Sequence, residues 1–310
     1  MEVEIPQSAF NPVYLPLLRE EACRYLVLMG GAGSGKSVFA AQRFLVRLME
    51  KPLCSLLVVR AVAAANRDST YALFRQLIEK WGLGSLFRCV DSDMRITCVN
   101  GNAVLFKGLD NAEKLKSVTF PKGELTDIWV EEASEVGEPD FNQLDLRLRG
   151  RGAHKQVTLT FNPVSPTHWL KRRFFDRQDP RALVTRTTYR DNRFLDSAYR
   201  ETLEAYRETD PYYYRVYCLG EWGVPGQSVF HARAVARRLE SLPPPAAQGY
   251  FRSGTYFDQE AGRVRIDDSA IAWVEDPAGP VKVYRHPEPG CRYAIGGAPA
   301  GEGSAVSVAQ

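Results

Sequence analysis

Short apolar runs alternate with longer amphipathic segments up to about residue 220. The runs YLVLM (25–29) and SLLVVR (55–60) have the length and composition of buried strands. VFAAQRFLVRLME (38–50) repeats apolar residues every three or four positions, which is typical of a helix with one buried face. Asn100-Gly101 separates two β-rich runs and predicts a hairpin. This alternation predicts an α/β fold with a mostly parallel sheet, flanking helices and ligands at the carboxyl ends of the strands.

The pattern changes after a proline-rich stretch, SLPPPAAQG (241–249). Short β-type runs follow it without helices to cover them: GTYF (254–257), AIAWVE (270–275), VKVYRH (281–286) and RYAIGG (292–297). The expected organisation is therefore a first domain over 1–228, a linker over 229–248 and an incomplete β-rich second domain over 249–310.

Composition excludes several classes of protein. The sequence has no run of 18 apolar residues, so no membrane span is expected. Its first ten residues are acidic and lack an apolar core, which argues against a secretory signal. The six cysteines are scattered without a CxxC pair, which argues against a zinc site and favours reduced thiols in a cytosolic protein.

A glycine-rich loop, GGAGSGKS (30–37), joins the first apolar run to the first amphipathic segment. It fits G-x-x-x-x-G-K-[ST], in which backbone N–H groups curl around phosphates at the positive end of a helix. Lys36 is expected to reach the β- and γ-phosphates and Ser37 to hold Mg²⁺. The dinucleotide-binding spacing G-x-G-x-x-G fails, because Lys36 stands at its third glycine. The predicted nucleotide-binding residues here are Gly30, Gly31, Ala32, Gly33, Ser34, Gly35, Lys36, Ser37 and Val38.

Two later strand ends carry polar side chains that suit nucleotide hydrolysis. DIWVEEA (127–133) ends in Glu131, which we predict on the magnesium side, and Glu132, which we predict as the general base. Because neighbours on a strand point to opposite faces, the two are expected to have different roles. TFNP (160–163) presents Thr160 and Asn162 where hydrolases with an additional strand place a γ-phosphate sensor. The alternatives are an acidic helix start and an ordinary Asn-Pro turn.

Charge is distributed unevenly along the chain. Residues 147–193 contain twelve basic and three acidic residues, an excess of nine positive charges, whereas the whole chain has a net charge of only +3. Such a stretch favours a polyanionic partner, but a solvated surface with local ion pairs explains the charge equally well.

Several motifs occur together in one order: GGAGSGKS, FKGLDNAEKLKS (106–117), WVEEASEV (129–136), LRLRG (146–150), TFNPVSPTHWLKRRFF (160–175) and CLGEWGVPG (218–226). With them, the chain resembles the large terminase subunit of tailed bacteriophages and prophages over roughly residues 5–230 and again from 288. The resemblance implies a P-loop NTPase of the additional-strand type, followed by the start of an RNase-H-like nuclease domain. It also implies an ATP-driven motor that packages double-stranded DNA into a procapsid.

The resemblance assigns roles to the motifs. It makes Gly30 to Ser37 the Walker A loop, Lys36 and Glu132 catalytic, Glu131 and Ser37 the magnesium ligands, and Thr160 to Asn162 the coupling motif. In FNPVY (10–14), Asn11 and Tyr14 are candidates for holding the adenine. The basic stretch becomes a candidate DNA contact through Arg147, Arg149, Arg151, Arg172 and Arg173. Arg67 and Arg95 are candidates for an arginine finger supplied by a neighbouring subunit, and spacing does not choose between them.

The resemblance further implies ATP and Mg²⁺ as substrate and cofactor. The expected partners are double-stranded DNA, a small terminase subunit and the portal of the procapsid, where a ring of subunits assembles from chains that are monomeric alone. No membrane is involved. The expected location is the cytoplasm of an infected or lysogenic bacterium, outside the finished virion.

The nuclease part departs from the family pattern. The family reads roughly Y-x-x-G-x-D-x-A-x-G, whereas this chain reads YAIGGAPAGEGSAVSVAQ (293–310), with Ala298 and Ala305 in place of metal-binding acids. A two-metal site needs several carboxylates to offset the charge of its ions. We therefore expect no nuclease activity from this chain, which ends at Gln310. A truncated and altered chain and a degenerate nuclease remain alternatives.

Three further functions remain open from the sequence: a helicase, a small-molecule kinase and a nucleotide-gated binding module. A GTPase is disfavoured because the chain has no NKxD motif. A kinase is disfavoured because kinases usually lack paired acids at the strand end. DNA-stimulated ATP hydrolysis without strand separation would favour a packaging motor over a helicase, and ATP binding without phosphate release would favour a binding module.

Overall fold

An eight-stranded sheet organises the first part of the chain. The structure is a computed structural model, and the residues that it describes are 3–110, 119–120, 122–149, 154–223, 237–238, 241–258, 263–286, 288, 296–297 and 308–309. The chain separates into two compact units, residues 1–232 and 233–310. None of the described helices has the length and apolarity needed to cross a membrane.

The strands of this sheet are β1 (Tyr25–Gly30), β2 (Ser55–Arg60), β3 (Phe87–Val90), β4 (Arg95–Cys98), β5 (Ala103–Gly108), β6 (Asp127–Glu131), β7 (Gln156–Phe161) and β8 (Ala182–Thr187). Their order is β3-β4-β5-β2-β6-β7-β1-β8, parallel from β5 to β8, with β3 and β4 antiparallel at one edge. The predicted hairpin at Asn100-Gly101 joins β4 to β5. Strand β7 lies between β1 and β6, which confirms the additional-strand type of P-loop fold.

Helices cover both faces of the sheet, which explains why its central strands read as continuous apolar runs. Among the described residues of this unit, the α-helices are α1 (Lys36–Glu50), α2 (Ala72–Lys80), α3 (Glu138–Arg147), α4 (Ser197–Thr209) and α5 (Pro211–Tyr213). The described part of the unit also has three π-helical stretches, Arg67–Tyr71, Lys171–Asp176 and Tyr214–Cys218, and four 3-10 helices, Gln7–Ala9, Pro12–Leu17, Ala133–Glu135 and Tyr189–Asp191. Phe39 and Phe44 of α1 pack on one face with Trp129, and Phe141 and Phe174 pack on the other.

A buried charged cluster anchors the far half of α1 to the amino ends of the strands. Arg47 of α1 is 3% exposed, and its Nη2 lies 3.3 Å from Oδ1 of Asp127, the first residue of β6. Burial alone would raise the pKa of Asp127, but the hydrogen bond from His154 and the charge of Arg47 lower it to about 2. The helix that begins at the glycine-rich loop is therefore fixed at its other end.

Apart from the helical residues Arg237 and Arg238, the regular structure described in the second unit consists of strands. Strands β9 (Ala247–Asp258), β10 (Arg263–Glu275) and β11 (Val281–Val283) form an antiparallel sheet in the order β10-β9-β11, and β12 (Gly296–Gly297) pairs with β13 (Val308–Ala309). The four predicted β-type runs thus contribute to strands. Ala298, Ala305 and Gln310 lie outside the described residues, and the RNase-H-like assignment and the domain boundaries stay predictions.

Candidate nucleotide-binding site

The glycine-rich loop runs from the last residue of β1 to the first turn of α1, at the carboxyl edge of the parallel strands. Gly35, which precedes α1, has φ of 81°, a left-handed conformation that favours glycine. A Cβ on Gly31 would lie 2.2 Å from the carbonyl oxygen of Cys218, so only glycine permits that close approach. The glycines thus allow the loop to fold with its backbone available for a ligand.

Tyr14 supports the loop from the interior. Its hydroxyl donates to the carbonyl of Ser34 at 3.1 Å and lies 2.8 Å from Oγ1 of Thr187, the last residue of β8. Its ring is fully buried and stacks on Phe39, with centroids 4.6 Å apart. Burial raises the pKa of Tyr14 to about 12, so the hydroxyl remains a donor. The structure therefore uses Tyr14 to hold the loop, and an adenine contact by this residue stays a prediction.

Asn11 and Asn192 support the same loop as a pair. Nδ2 of Asn11 donates to Oδ1 of Asn192 at 3.0 Å, and Nδ2 of Asn192 donates to the carbonyl of Gly33 at 2.8 Å. Oδ1 of Asn11 accepts from the backbone N–H of Arg193 at 3.1 Å. Sequence reasoning missed Asn192, because nothing in YRDNRF (189–194) connects it to a loop that lies 159 positions earlier in the chain.

Lys36 is brought together with the predicted coupling residue. Its side chain is buried and donates through Nζ to Oδ1 of Asn162, which follows β7. Burial lowers the pKa of Lys36, and the nearby carboxylates of Glu132 and Glu131 oppose that shift. The ammonium thus lies among the groups that the sequence predicted for catalysis and coupling.

Thr160 fixes the carboxylate of Glu131 on the neighbouring strand. The two residues are directly paired between β7 and β6, and Oγ1 of Thr160 donates to Oε2 of Glu131. Nε1 of Trp129 donates to the same hydroxyl at 2.7 Å. Both Glu131 and Thr160 are buried, so this chain of hydrogen bonds orients one carboxylate at the end of β6.

Glu132 has a left-handed backbone, with φ of 52° and ψ of 52°. A non-glycine residue in this region is strained by about 1–2 kcal/mol, a feature that concentrates at functional sites. The sequence predicted that Glu131 and Glu132 point to opposite faces because neighbours on a strand alternate. This reasoning does not apply to Glu132, because β6 ends at Glu131. The charges of both carboxylates favour the protonated form of Lys36 and so raise its pKa, against the effect of burial. Burial, followed by the charge of Glu131, raises the pKa of Glu132.

Arg60 adds a positive charge that sequence reasoning missed. It ends β2, the strand next to β6, and its Nη2 lies 3.5 Å from Oε2 of Glu135. Its charge opposes the rise in the pKa of Glu132. Its Nε is buried and has no hydrogen-bond partner among the described residues. The sequence feature that could have indicated Arg60 is its position as the charged last residue of the run SLLVVR, directly after four apolar residues.

The residues around the loop suit Mg²⁺. The half-buried Ser37 hydroxyl at the start of α1 and the Glu131 carboxylate offer oxygen atoms, the donors that Mg²⁺ prefers. Within the described chain, no group of three or more His, Cys, Asp or Glu residues forms a dedicated metal cage. Mg²⁺ commonly takes one or two protein oxygens and completes its coordination with water and substrate phosphates, so this donor set fits.

The predicted DNA-contacting arginines have different environments. Arg147 and Arg149, at and beyond the end of α3, have no ion-pair or hydrogen-bond partner for their side chains in the described part of the chain. Burial and the adjacent Arg149 lower the pKa of Arg147. Arg172 pairs with Glu138 at 2.9 Å, and Arg151 lies outside the described residues.

Arg173 is engaged inside the protein. Its guanidinium lies 5.1 Å from the ring centroid of Tyr25, 4.8 Å from that of Phe141 and 5.5 Å from that of Phe174. It also donates to the Tyr25 hydroxyl at 2.9 Å and lies 3.7 Å from a carboxylate oxygen of Asp145. Its side chain is only 19% exposed. It therefore stabilises the face that α3 covers, and these contacts do not favour the predicted role of Arg173 in binding DNA.

The two arginine-finger candidates have local partners. Nη1 of Arg67 donates to the carbonyl of Asp91 at 3.1 Å, and Arg95 pairs with Asp93 at 3.1 Å. Both contacts are exposed, and both arginines stay candidates.

The sheet order and the phosphate-type loop define a P-loop NTPase fold of the additional-strand type. A family model described as "Phage terminase large subunit" matches residues 23–221. The chain therefore belongs to the phage terminase large subunit family.

Curated terminase large subunits also match the chain. The chain is 35% identical over 221 residues to the PBSX phage terminase large subunit of Bacillus subtilis (strain 168), a match that covers 65% of this chain and 50% of that protein. It is 29% identical over 223 residues to the terminase large subunit of Bacillus phage SPP1, a match that covers 68% and 53%. The chain thus spans about half the length of the curated relatives it matches.

Among solved structures, the large terminase of a thermophilic bacteriophage shares the fold. It aligns with a TM-score of 0.59 at 17% identity, over 79% of this chain and 61% of that chain. The same thermophilic phage terminase in complex with ATP-γ-S aligns with a TM-score of 0.56 at 18% identity, over 80% and 62%.

Proposed function

We propose that this chain is the ATP-hydrolysing part of a motor subunit that translocates double-stranded viral DNA into a procapsid. The observation that carries the proposal is the convergence of Lys36, Glu131, Glu132 and Asn162 at the carboxyl ends of β1, β6 and β7. Membership of the terminase family supports it, as does the fold shared with the thermophilic phage terminase, whose structure contains ATP-γ-S.

In the proposed reaction, the loop N–H groups hold the phosphates and Lys36 neutralises their charge. Ser37 and Glu131 would hold Mg²⁺, which would further neutralise the charge of the triphosphate. Glu132 accepts a proton from the attacking water as the water oxygen bonds to the γ-phosphorus, the bond from that phosphorus to the β,γ-bridging oxygen breaks and ADP leaves. Its raised pKa makes the ionised carboxylate a stronger proton acceptor than that of an ordinary glutamate.

Asn162 is proposed to couple the nucleotide to the sheet. Because Lys36 donates to Asn162 in the structure, a triphosphate that attracts Lys36 competes for this hydrogen bond. Thr160 lies two residues before Asn162, on strand β7, and orients the carboxylate of Glu131. A change at the γ-phosphate therefore reaches β7 and β6 through two short contacts.

The DNA is proposed to bind through phosphate contacts by Arg147, Arg149 and Arg172. A motor that moves DNA of any sequence requires phosphate contacts rather than base readout. The wider proposal follows the family: a ring of subunits at the portal, a small-subunit partner, and action in the bacterial cytoplasm during packaging.

ATP hydrolysis by the purified chain, with and without linear double-stranded DNA, tests this function. Lys36→Ala should abolish turnover because the phosphates lose their counterion. Lys80→Ala, which changes an exposed lysine at the end of α2, is the matched control and should keep the parent rate. Hydrolysis by Lys36→Ala at the parent rate would exclude the proposed site. Strand separation would indicate a helicase instead, and ATP binding without phosphate release would indicate a binding module.

A further inference from the structure

The two residues that the sequence predicts for the adenine offer it no open face. Both polar atoms of the Asn11 side chain are used, one by Asn192 and the other by the backbone of Arg193. Tyr14 is fully buried, with its ring against Phe39. An adenine contact by either residue would require its side chain to leave these partners, whereas another surface could receive the base without such a change.

The positions of the catalytic groups give the direction of that surface. Lys36 extends toward Asn162 and the carboxylates of Glu131 and Glu132, so the γ-phosphate end of a nucleotide points toward β7 and β6. In the sheet order, β8 lies on the other side of β1. The base end is therefore directed toward the segment that follows β8, which contains Asn192 and the start of α4.

Exposed aromatic side chains in this region differ in whether their rings are free. Phe194 is 54% exposed, but the guanidinium of Arg193 lies 4.8 Å from its ring centroid. Tyr217 stacks on Tyr213, with centroids 4.5 Å apart and planes 7° from parallel. Tyr199 is 41% exposed, and within the described chain its ring and hydroxyl have no aromatic or hydrogen-bond partner.

Tyr199 also touches the loop. A Cβ on Gly33 would lie 3.1 Å from Cε1 of Tyr199 and 3.4 Å from a methyl carbon of Leu195. Its backbone is fixed in the first turn of α4, where Oδ1 of the N-cap residue Asp196 accepts from the Tyr199 N–H at 2.8 Å. The ring of Tyr199 thus lies against the phosphate loop at Gly33, and the rest of this partly exposed side chain faces solvent.

We propose that the nucleotide base stacks on the ring of Tyr199. This inference rests on the proposed function, because it assigns the base end of the same nucleotide site. Stacking on a tyrosine tolerates any base, since every base has a π face. The contact therefore increases affinity for purine nucleotides generally, and it does not select adenine over guanine.

Calorimetric titration of ADP, GDP and inorganic tripolyphosphate, each with Mg²⁺, tests the assignment. Tyr199→Ala should weaken ADP and GDP binding by about tenfold. It should leave tripolyphosphate unchanged, because that ligand has no base. Tyr199→Phe keeps the stacking face and should bind all three as the parent does. Phe194→Ala is the matched control, an exposed aromatic change at the same rim with no expected effect.

Two results would overturn the inference. If Tyr199→Ala weakens all three ligands equally, Tyr199 supports only the loop; if it weakens none, the base lies elsewhere. Lys36→Ala separates this inference from the proposed function, because it should weaken all three ligands. Unchanged tripolyphosphate binding by Lys36→Ala would reject the phosphate site itself, whatever the Tyr199 variants show.

Discussion

Asn192→Ala tests whether the loop depends on the segment after β8. Asn192 is 9% exposed, and its side chain makes three hydrogen bonds. It donates to the carbonyl of Gly33 at 2.8 Å and accepts from Nδ2 of Asn11 and from the N–H of Phe194, both at 3.0 Å. Alanine removes all three without adding bulk, so the loop keeps its sequence and loses one support.

The magnitude follows from these contacts. A typical intramolecular hydrogen bond contributes about 0.5–1.5 kcal/mol net, so three give about 2–4 kcal/mol in the free energy of unfolding. Only the bond to Gly33 acts on the loop directly. Its loss, about 1 kcal/mol, corresponds to about fivefold weaker ATP binding if the loop must recover its conformation to bind.

Thermal unfolding and ATP titration should be measured together, with Asn102→Ala as the matched control. Asn102 is also a buried amide with three hydrogen bonds, to Leu48, Lys51 and Cys54, but it lies at the amino edge of the sheet. We expect both variants to lose stability and only Asn192→Ala to lose ATP affinity. Equal affinity losses in the two variants, or none in Asn192→Ala, would refute the reasoning.

Three further predictions concern catalysis and DNA. Glu132→Gln should bind ATP normally but hydrolyse it ~10²–10⁴-fold more slowly in a phosphate-release assay, because the general base is lost. The general base acts only when it is ionised, and the pKa of Glu132 is raised. As the pH is lowered, kcat/KM should therefore begin to fall at a higher pH than with an ordinary glutamate as the base. Arg60→Gln removes a charge that lowers this pKa, so the fall in kcat/KM should begin at a still higher pH. Replacing Arg147 and Arg149 by glutamine should flatten the log–log salt dependence of DNA binding by about 0.9 per contact, whereas Arg181→Gln should leave it unchanged.

The elements of the site that lie close together in sequence could be predicted from it. The loop, its strand and its helix are adjacent, so one motif and two periodic patterns identify them. Glu131 and Asn162 could be predicted because each follows an apolar run, and the ends of parallel strands meet at one edge. The position of β7 between β1 and β6 came instead from the resemblance to the terminase family, which implied the additional-strand type of fold.

The supports of the loop could not be predicted, because they join distant parts of the chain. Asn11 and Asn192 are 181 positions apart, and Tyr14 and Thr187 are 173 apart. No local spacing relates such pairs. The left-handed backbone at Glu132 could not be predicted for another reason. The prediction assumed that the strand continued through Glu132, whereas β6 ends at Glu131.

Charge composition was also an incomplete guide. A count of basic residues does not distinguish Arg149, which has no side-chain partner in the described chain, from Arg173, which lies over three aromatic rings. Arg172 already pairs with Glu138, so its contact with DNA would have to replace an ion pair. Exposed pairs of this kind are weak, and DNA phosphates compete with them readily.

The phosphate loop is held by contacts that a bound nucleotide must compete with or preserve. On one side, Lys36 donates to Asn162. On the other, the N–H of Ala32 donates to the carbonyl of Tyr217 at 2.7 Å. A phosphate bound by the loop would interact with both Lys36 and the loop N–H groups. It would therefore compete with both of these hydrogen bonds. Asn162 belongs to the sheet, whereas Tyr217 belongs to the π-helical stretch near the end of the first unit. We therefore expect phosphate binding at this loop to affect both places at once, as the proposed hydrolysis-driven motor requires.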